Sequence, residues 1–348
     1  MAFGYKDTDA NWSDILTTTF AKVTPQFIDQ VFQARPLAYF LARAGQVIQI
    51  DGGARIQEAL IGADNSANTA TYSGVDAISN TPQEEVSSAI YEWKQLASTV
   101  SISGIEEAQN SGEAAFLDLL NTKIEVARES VVQKMNEMFY EDGTGNSGKD
   151  FNGLWNLVGG YDAADSGSEA RGYSTVGGIN PANNTWWRSQ IHDAGQTAEA
   201  ITNGVAGFGH TDTTTLDRQK MTNVFNDCSV GGDTPQFILT TQSLHEDYES
   251  LLQGNVRHMD ASLADAGFQA LEFKGRPVLF DEDCPSGHMY FINPKYLRLK
   301  VHRDRFFKAG PFIQPVDKDT RTMKMLTYGN LTINSRRHQG VIYGLTAS

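Results

Sequence analysis

Phe116, Leu119, Leu120, Ile124, Ala127, Val131, Met135 and Met138 recur every three or four positions, which predicts one long amphipathic helix over 110–140. Asn110 followed by Glu113 has the spacing of a capping box, and Gly143-Thr144-Gly145 provides the stop. About 28 residues of helix run roughly 42 Å at 1.5 Å per residue. Globular helices average ~10–14 residues, so this apolar stripe needs a broad partner, and a sheet is the natural one.

Ahead of the helix the pattern is extended. Residues 46–50 read as a strand, Asp51-Gly52-Gly53 as a turn, and 55–60 alternate apolar and polar. Residues 62–80 are small and polar and have too few apolar anchors to hold themselves rigid. The chain returns as strand over 84–103, with Ile90, Trp93, Leu96 and Val100 as expected core positions. A long hairpin with a soft tip is the economical reading.

Residues 10–45 are helical in pieces. Thr24 caps Pro25, and Phe27, Ile28, Val31 and Phe32 share a stripe. Pro36 interrupts this pattern, Leu37, Tyr39, Phe40 and Leu41 follow, and Gly45 ends the region. So many aromatic residues need a surface, either the subunit's own body or a neighbour's.

Beyond the helix, 158–184 read as surface loops, and 186–200 and 214–227 as helices, the second with Leu216, Met221, Val224 and Phe225 inward. Strands are expected at 235–240, 271–273, 277–280 and 289–292, with a helix from His245 capped by Thr241 or Ser243. The last sixty residues are mostly strand, at 297–301, 321–334 and 341–343.

Composition adds exclusions. The 348 residues suffice for one large domain or two modest ones. There is no run of 18 apolar residues, so no membrane span is expected, and residues 1–9 lack the features of a signal peptide. Two cysteines make no disulfide framework and suit a reducing site of synthesis. A net charge of -14 argues against a surface that binds nucleic acid throughout. That charge is uneven: residues 1–290 carry 17 Lys and Arg against 39 Asp and Glu, whereas 291–348 carry 11 against 3. Either a basic sheet folds beside acidic loops, or opposite charges meet between copies, with Arg298 and Lys300 as the test positions.

Candidate chemistry is sparse. His192, His210, His245, His258, His288, His302 and His338 form no HxxxH or HExxH pair, and Cys228 and Cys284 stand alone. Residues 143–149 end in Gly-Lys, yet they follow a helix and place Asp150 where a phosphate loop needs Ser or Thr, so a turn is expected. No Gly-x-Ser-x-Gly elbow occurs. Asp281-Glu282-Asp283 is read as a solvated turn rather than a cation site, Trp186-Trp187 as buried rather than a stacking platform, and His245 as a surface or packing residue. No catalytic, cofactor-binding or metal-binding residue is assigned, no cofactor is expected, and the protein is not read as an enzyme.

Taken in order, these elements are an arm, a hairpin with a polar tip, a long helix, a glycine-rich junction, a mixed module and a basic terminal sheet. That order resembles the major capsid proteins of tailed bacteriophages, the family with the HK97-type shell fold. The resemblance implies an α+β fold with residues 1–45 as the N-terminal arm and 46–90 as the extended loop. It makes 91–154 the first part of a peripheral domain with 110–140 as its spine helix, 155–290 the axial domain, and 291–348 the return strands of the peripheral domain. Gly143-Thr144-Gly145 with Gly153-Leu154 is similar to the glycine-rich passage that follows the spine in many members. In that family the arm embraces one neighbour and the loop lies across another.

The resemblance further implies self-assembly as hexamers and pentamers into an icosahedral shell around double-stranded DNA, without sequence-specific contact or membrane. It implies a virion protein made in the bacterial host cytoplasm, with a separate scaffolding protein, a portal and a decoration protein as possible partners. Some members crosslink a loop lysine to a neighbour's asparagine, but residues 46–90 contain no lysine. An encapsulin-like compartment shell is the alternative, and an acidic carbohydrate-active protein the more distant one.

Overall fold

The computed structural model describes residues 35–62, 68–74, 76–77, 86–109, 113–159, 175–181, 183–195, 205–206, 214–252, 271–316 and 318–347. The helical segments expected within residues 10–34, the capping box at Asn110 and most of the polar tip lie outside them.

Pro36 begins a helix rather than ending one. In α1 (Pro36–Arg43) the proline occupies the first turn, where its missing N–H costs nothing. Leu37 and Leu41 are fully buried, and Phe40 stacks on Phe237 at 4.5 Å between ring centroids. This part of the arm is therefore covered by the subunit's own body.

Strand β1 (Val47–Ile50) then joins β11 (Leu297–His302) in parallel. Strands β2 (Ile56–Ile61) and β3 (Val86–Tyr91) form the expected antiparallel hairpin, with Ile56 opposite Tyr91 and Ile61 opposite Val86. The return is broken at Glu92-Trp93, after which β4 (Lys94–Ser103) enters a different sheet. The break also shifts the inward set: Ala89 and Tyr91 are buried, whereas Ile90 faces outward.

The five-stranded sheet is built around β13 (Thr320–Ile333), whose 14 residues are long enough to serve several partners. It pairs with β4 on one side, and with β11 and the short β12 (Lys308–Ala309) on the other. A short helix α2 (Gly104–Gln109) leads into the expected long helix α3 (Glu113–Tyr140). Ile124 and Ala127 of that helix pack on Val100 and Ile102 of β4 and on Met323 of β13.

The second sheet has seven strands in the order β6-β5-β14-β10-β7-β9-β8. These are β5 (Gln190–Asp193), β6 (Val205–Ala206), β7 (Phe237–Thr240), β8 (Leu271–Phe273), β9 (Arg276–Phe280), β10 (Met289–Ile292) and β14 (Gly340–Tyr343). Helix α4 (Leu154–Leu157) is a single turn; α5 (Arg218–Asp227) buries Met221, Val224 and Phe225 as expected, and α6 (Gln242–Leu251) buries Leu244 and Tyr248. Thr241 stands at the start of α6 but makes no side-chain cap.

Two expectations need correction. The helix expected over 186–200 is a 3-10 turn at Thr185–Trp187 followed by β5, because Ile191 and His192 pair in parallel with Val341 and Ile342 of β14. The basic C-terminal segment is likewise not one sheet. Strands β11, β12 and β13 belong to the five-stranded sheet, but β14 lies in the middle of the seven-stranded one, between β5 and β10. A division of the chain at residue 290 therefore cuts through the second sheet, since its next-to-last strand, β10, runs from Met289 to Ile292.

Candidate functional site

The groups set aside on sequence grounds occupy defined places. In the 143–149 turn, Asn146 and Ser147 adopt left-handed backbone angles, and Asp142 accepts from the Thr144 amide at 2.8 Å. The Lys94 ammonium donates to the Gly148 carbonyl, which presents an oxygen where a phosphate cradle needs N–H groups. Trp187 is buried and donates its indole N–H to the Val176 carbonyl at 3.0 Å.

His245 is buried rather than at the surface, and burial lowers its pKa. His192 meets Asp227 at 3.1 Å, His338 stacks on Tyr296, and His302 lies beside Trp93. Cys228 and Cys284 are buried, and desolvation pushes both thiols up. His210 and His258 lie outside the described residues. Among the described residues no three His, Cys, Asp or Glu side chains converge as a metal site, and no helix is long and apolar enough to cross a membrane.

Asp281-Glu282-Asp283 is a turn with Glu282 exposed, but it is not solvated throughout. Asp281 is buried, and its carboxylate accepts from the Asn136 amide at 3.0 Å, the Tyr140 hydroxyl at 3.0 Å and the Asp283 amide at 3.1 Å. Identical acidic letters in sequence thus sit in different solvents.

The hairpin stands out because it projects while its base is clamped. Glu58, on the inward face of β2, is buried against β11. Its carboxylate lies 3.1 Å from the Arg298 guanidinium and 2.8 Å from the Lys300 ammonium, and accepts from the Thr332 hydroxyl at 3.0 Å. The opposite charges noted in the sequence therefore meet within one subunit at these positions, so Arg298 and Lys300 are not free for a neighbour.

Tyr91 donates to the Ile333 carbonyl at 2.9 Å, and the Ile90 amide donates to the Gly177 carbonyl at 2.9 Å. The loop carrying Gly177 approaches so closely that a Cβ there would sit 2.7 Å from that of Ala89. Trp186 packs on the backbone of Gly62 in the same way. Loop 176–187 and the five-stranded sheet thus hold the hairpin base from two sides.

Two apolar side chains of the hairpin nevertheless remain exposed among the described residues. Ile61 and Val86, cross-strand partners at the far end of the hairpin, are 84% and 75% exposed. Such an apolar pair in water is a contact awaiting cover. Residues 62–85, which join them, contain Asp64, Asp76, Glu84 and Glu85 and no lysine, arginine or histidine.

A surface of the opposite character lies on the five-stranded sheet, open among the described residues. A groove of about 880 Å³ has Trp93, Leu326 and Tyr328 among its apolar lining and His302, Arg305 and Lys308 among its basic lining, with Asp304 as its acid. The Arg305 guanidinium sits over the Tyr328 ring at 5.5 Å, and Trp93 is fixed by donating to the Gly53 carbonyl at 2.8 Å. Sequence reasoning marked the loop but missed both the clamp and the groove.

The fold itself has known counterparts. No protein-family model matches the chain, and no curated protein matches its sequence. Among solved structures, the chain is similar to that of the cyanophage A-1(L) capsid, at 17% identity and a TM-score of 0.63, over 87% of this chain and 90% of that one. The capsid of a native GTA particle is similar at 11% identity and a TM-score of 0.56, over 88% and 90%. The SrpI encapsulin of Synechococcus elongatus is similar at 10% identity and a TM-score of 0.55, over 89% and 88%. The fold is the α+β shell fold of tailed-phage capsid proteins, as the order of elements in the sequence implies.

Proposed function

We propose that this chain is the shell-forming subunit of a phage-type capsid, which assembles from many copies around double-stranded DNA and resides in the virion. The observation that carries this reading is the correspondence in fold with the cyanophage A-1(L) capsid chain, over 87% of this chain and 90% of that one. The surface chemistry supports it. An acidic hairpin tip flanked by exposed Ile61 and Val86, and a basic, aromatic groove, are complementary surfaces on one polypeptide. A tip laid on the next copy's groove repeats head to tail, the kind of contact that closes into rings when its rotation permits.

In this reading the long helix and the five-stranded sheet form the peripheral domain, and the seven-stranded sheet with β14 forms the axial domain around the centres of hexamers and pentamers. The protein's task is structural, with no cofactor. A scaffolding protein, a portal and a decoration protein are its expected partners, and synthesis is assigned to the host cytoplasm.

The test is purification of the chain expressed alone and with its neighbouring open reading frames, followed by electron microscopy and light scattering. Capsomers or closed shells are expected; a monomer at micromolar concentration under every assembly condition overturns the reading. The encapsulin likeness favours a second reading, a protein-filled compartment. Nucleic acid inside shells isolated from the source supports the first, and an enclosed enzyme supports the second.

A further inference from the structure

The end of α3 meets the seven-stranded sheet at one buried polar cluster. Asn136 and Tyr140, one turn apart on the helix, reach across to the turn that follows β9. The Asn136 amide nitrogen contacts two carboxylates, Asp281 at 3.0 Å and Asp283 at 2.5 Å, so the acids converge on one donor. Arg35, just before α1, is the cation facing them, 3.7 Å from Asp283. The Asn136 carbonyl oxygen is buried without a hydrogen-bond partner among the described residues.

A carboxylate buried as Asp281 is, with a second acid on the same amide, holds a proton more readily than in water, because burial and a nearby like charge both penalise its ionised form. A proton on Asp281 also removes negative charge from the buried interface. We propose that the Asp281–Asp283–Asn136–Tyr140 cluster is a proton-sensitive joint between the long helix and the seven-stranded sheet, tightest when Asp281 is protonated and looser when it ionises. This joint concerns the subunit itself and stands whether or not the shell reading does.

The sign follows from linkage. Opening the joint returns Asp281 to water and to its ordinary range. Within the closed joint, desolvation raises Asp281 above that range, with the neighbouring Asp283 charge a smaller contribution in the same direction, while the bonds from Asp283, Tyr140 and Asn136 oppose it. The closed form therefore binds the proton more tightly. Closure is favoured below the ordinary carboxylate pKa, and the advantage is lost as pH rises through the raised one.

The other titratable groups facing the cluster are Tyr140, which burial and Asp281 push up, and Cys284, pushed up by burial. Tyr290 lies beyond Tyr140, and burial raises it too. His288, whose carbonyl faces the Cys284 thiol, is held down by burial.

The test is hydrogen exchange of the full-length protein between pH 3.5 and 7.5, corrected for intrinsic exchange and read on helix peptides spanning residues 135–141. In the wild type, protection is expected to fall with rising pH by up to about tenfold per unit inside the window set by the two pKa values, and to be flat outside it. Asp281→Asn is expected to abolish that slope, whereas His288 titrates in both proteins and cancels from the comparison. A flat wild-type profile, or the same slope in Asp281→Asn, overturns the joint. If Asp281→Asn does not fold, carboxyl-carbon NMR of the wild type and of Asp283→Asn decides: an Asp281 pKa above the ordinary range that falls on removing Asp283 supports it, and an unshifted value refutes it.

Discussion

A single carboxylate fixes how the hairpin leaves the body. Glu58 is almost fully buried and is answered by Arg298, Lys300 and Thr332 from the sheet beneath it. Removing one member of a buried charge cluster leaves the others uncompensated. Glu58→Ala is therefore expected to lower unfolding stability by about 3 kcal/mol in urea denaturation, far more than loss of an exposed glutamate costs. Gly177 is the second decisive residue. Its backbone is left-handed at φ +61°, and its missing side chain admits Ala89. Gly177→Ala is expected to destabilise by at least about 1–2 kcal/mol, from backbone strain alone, in the same assay. The sequence carried a faint sign of Glu58, since Ile56, Glu58 and Leu60 share one face of an alternating strand. Nothing local showed that its carboxylate would be buried against Arg298 and Lys300.

At the scale of elements, the described base of the hairpin is held by named contacts, while its connecting segment is small and polar in sequence. Residues 64–80 follow in sequence the strand that carries Glu58, and none of them is among the clamp contacts of Glu58, Tyr91 and loop 176–187. Replacing them with a short glycine–serine linker is expected to leave the circular dichroism spectrum and melting temperature near those of the full chain while impairing assembly; loss of the folded signal would contradict the division. The long helix was readable because its 3.6-residue period persists through many turns. The segment after Trp187 was not. Its helical reading gave way to parallel pairing with β14, a partner some 150 residues away that no local window contains.

At the scale of the molecule, the charge asymmetry resolves into two levels. Arg298 and Lys300 are neutralised inside the subunit, whereas Arg305 and Lys308 stay on the open face and line the groove. Arg305→Glu combined with Lys308→Glu is expected to weaken assembly at low ionic strength and to lose its effect as salt is raised, followed by light scattering. Assembly indifferent to the double substitution at every salt concentration would remove the groove from the proposed contact. The order of arm, hairpin, long helix, mixed module and terminal strands was determined along the chain, because periodicity and turn chemistry act over neighbouring residues. The buried ion cluster at Glu58, the seating of β14 in the second sheet and the burial of Asp281 were decided only by tertiary structure. Each depends on which distant segment excludes water from a side chain, and that exclusion exists only once the chain has closed on itself.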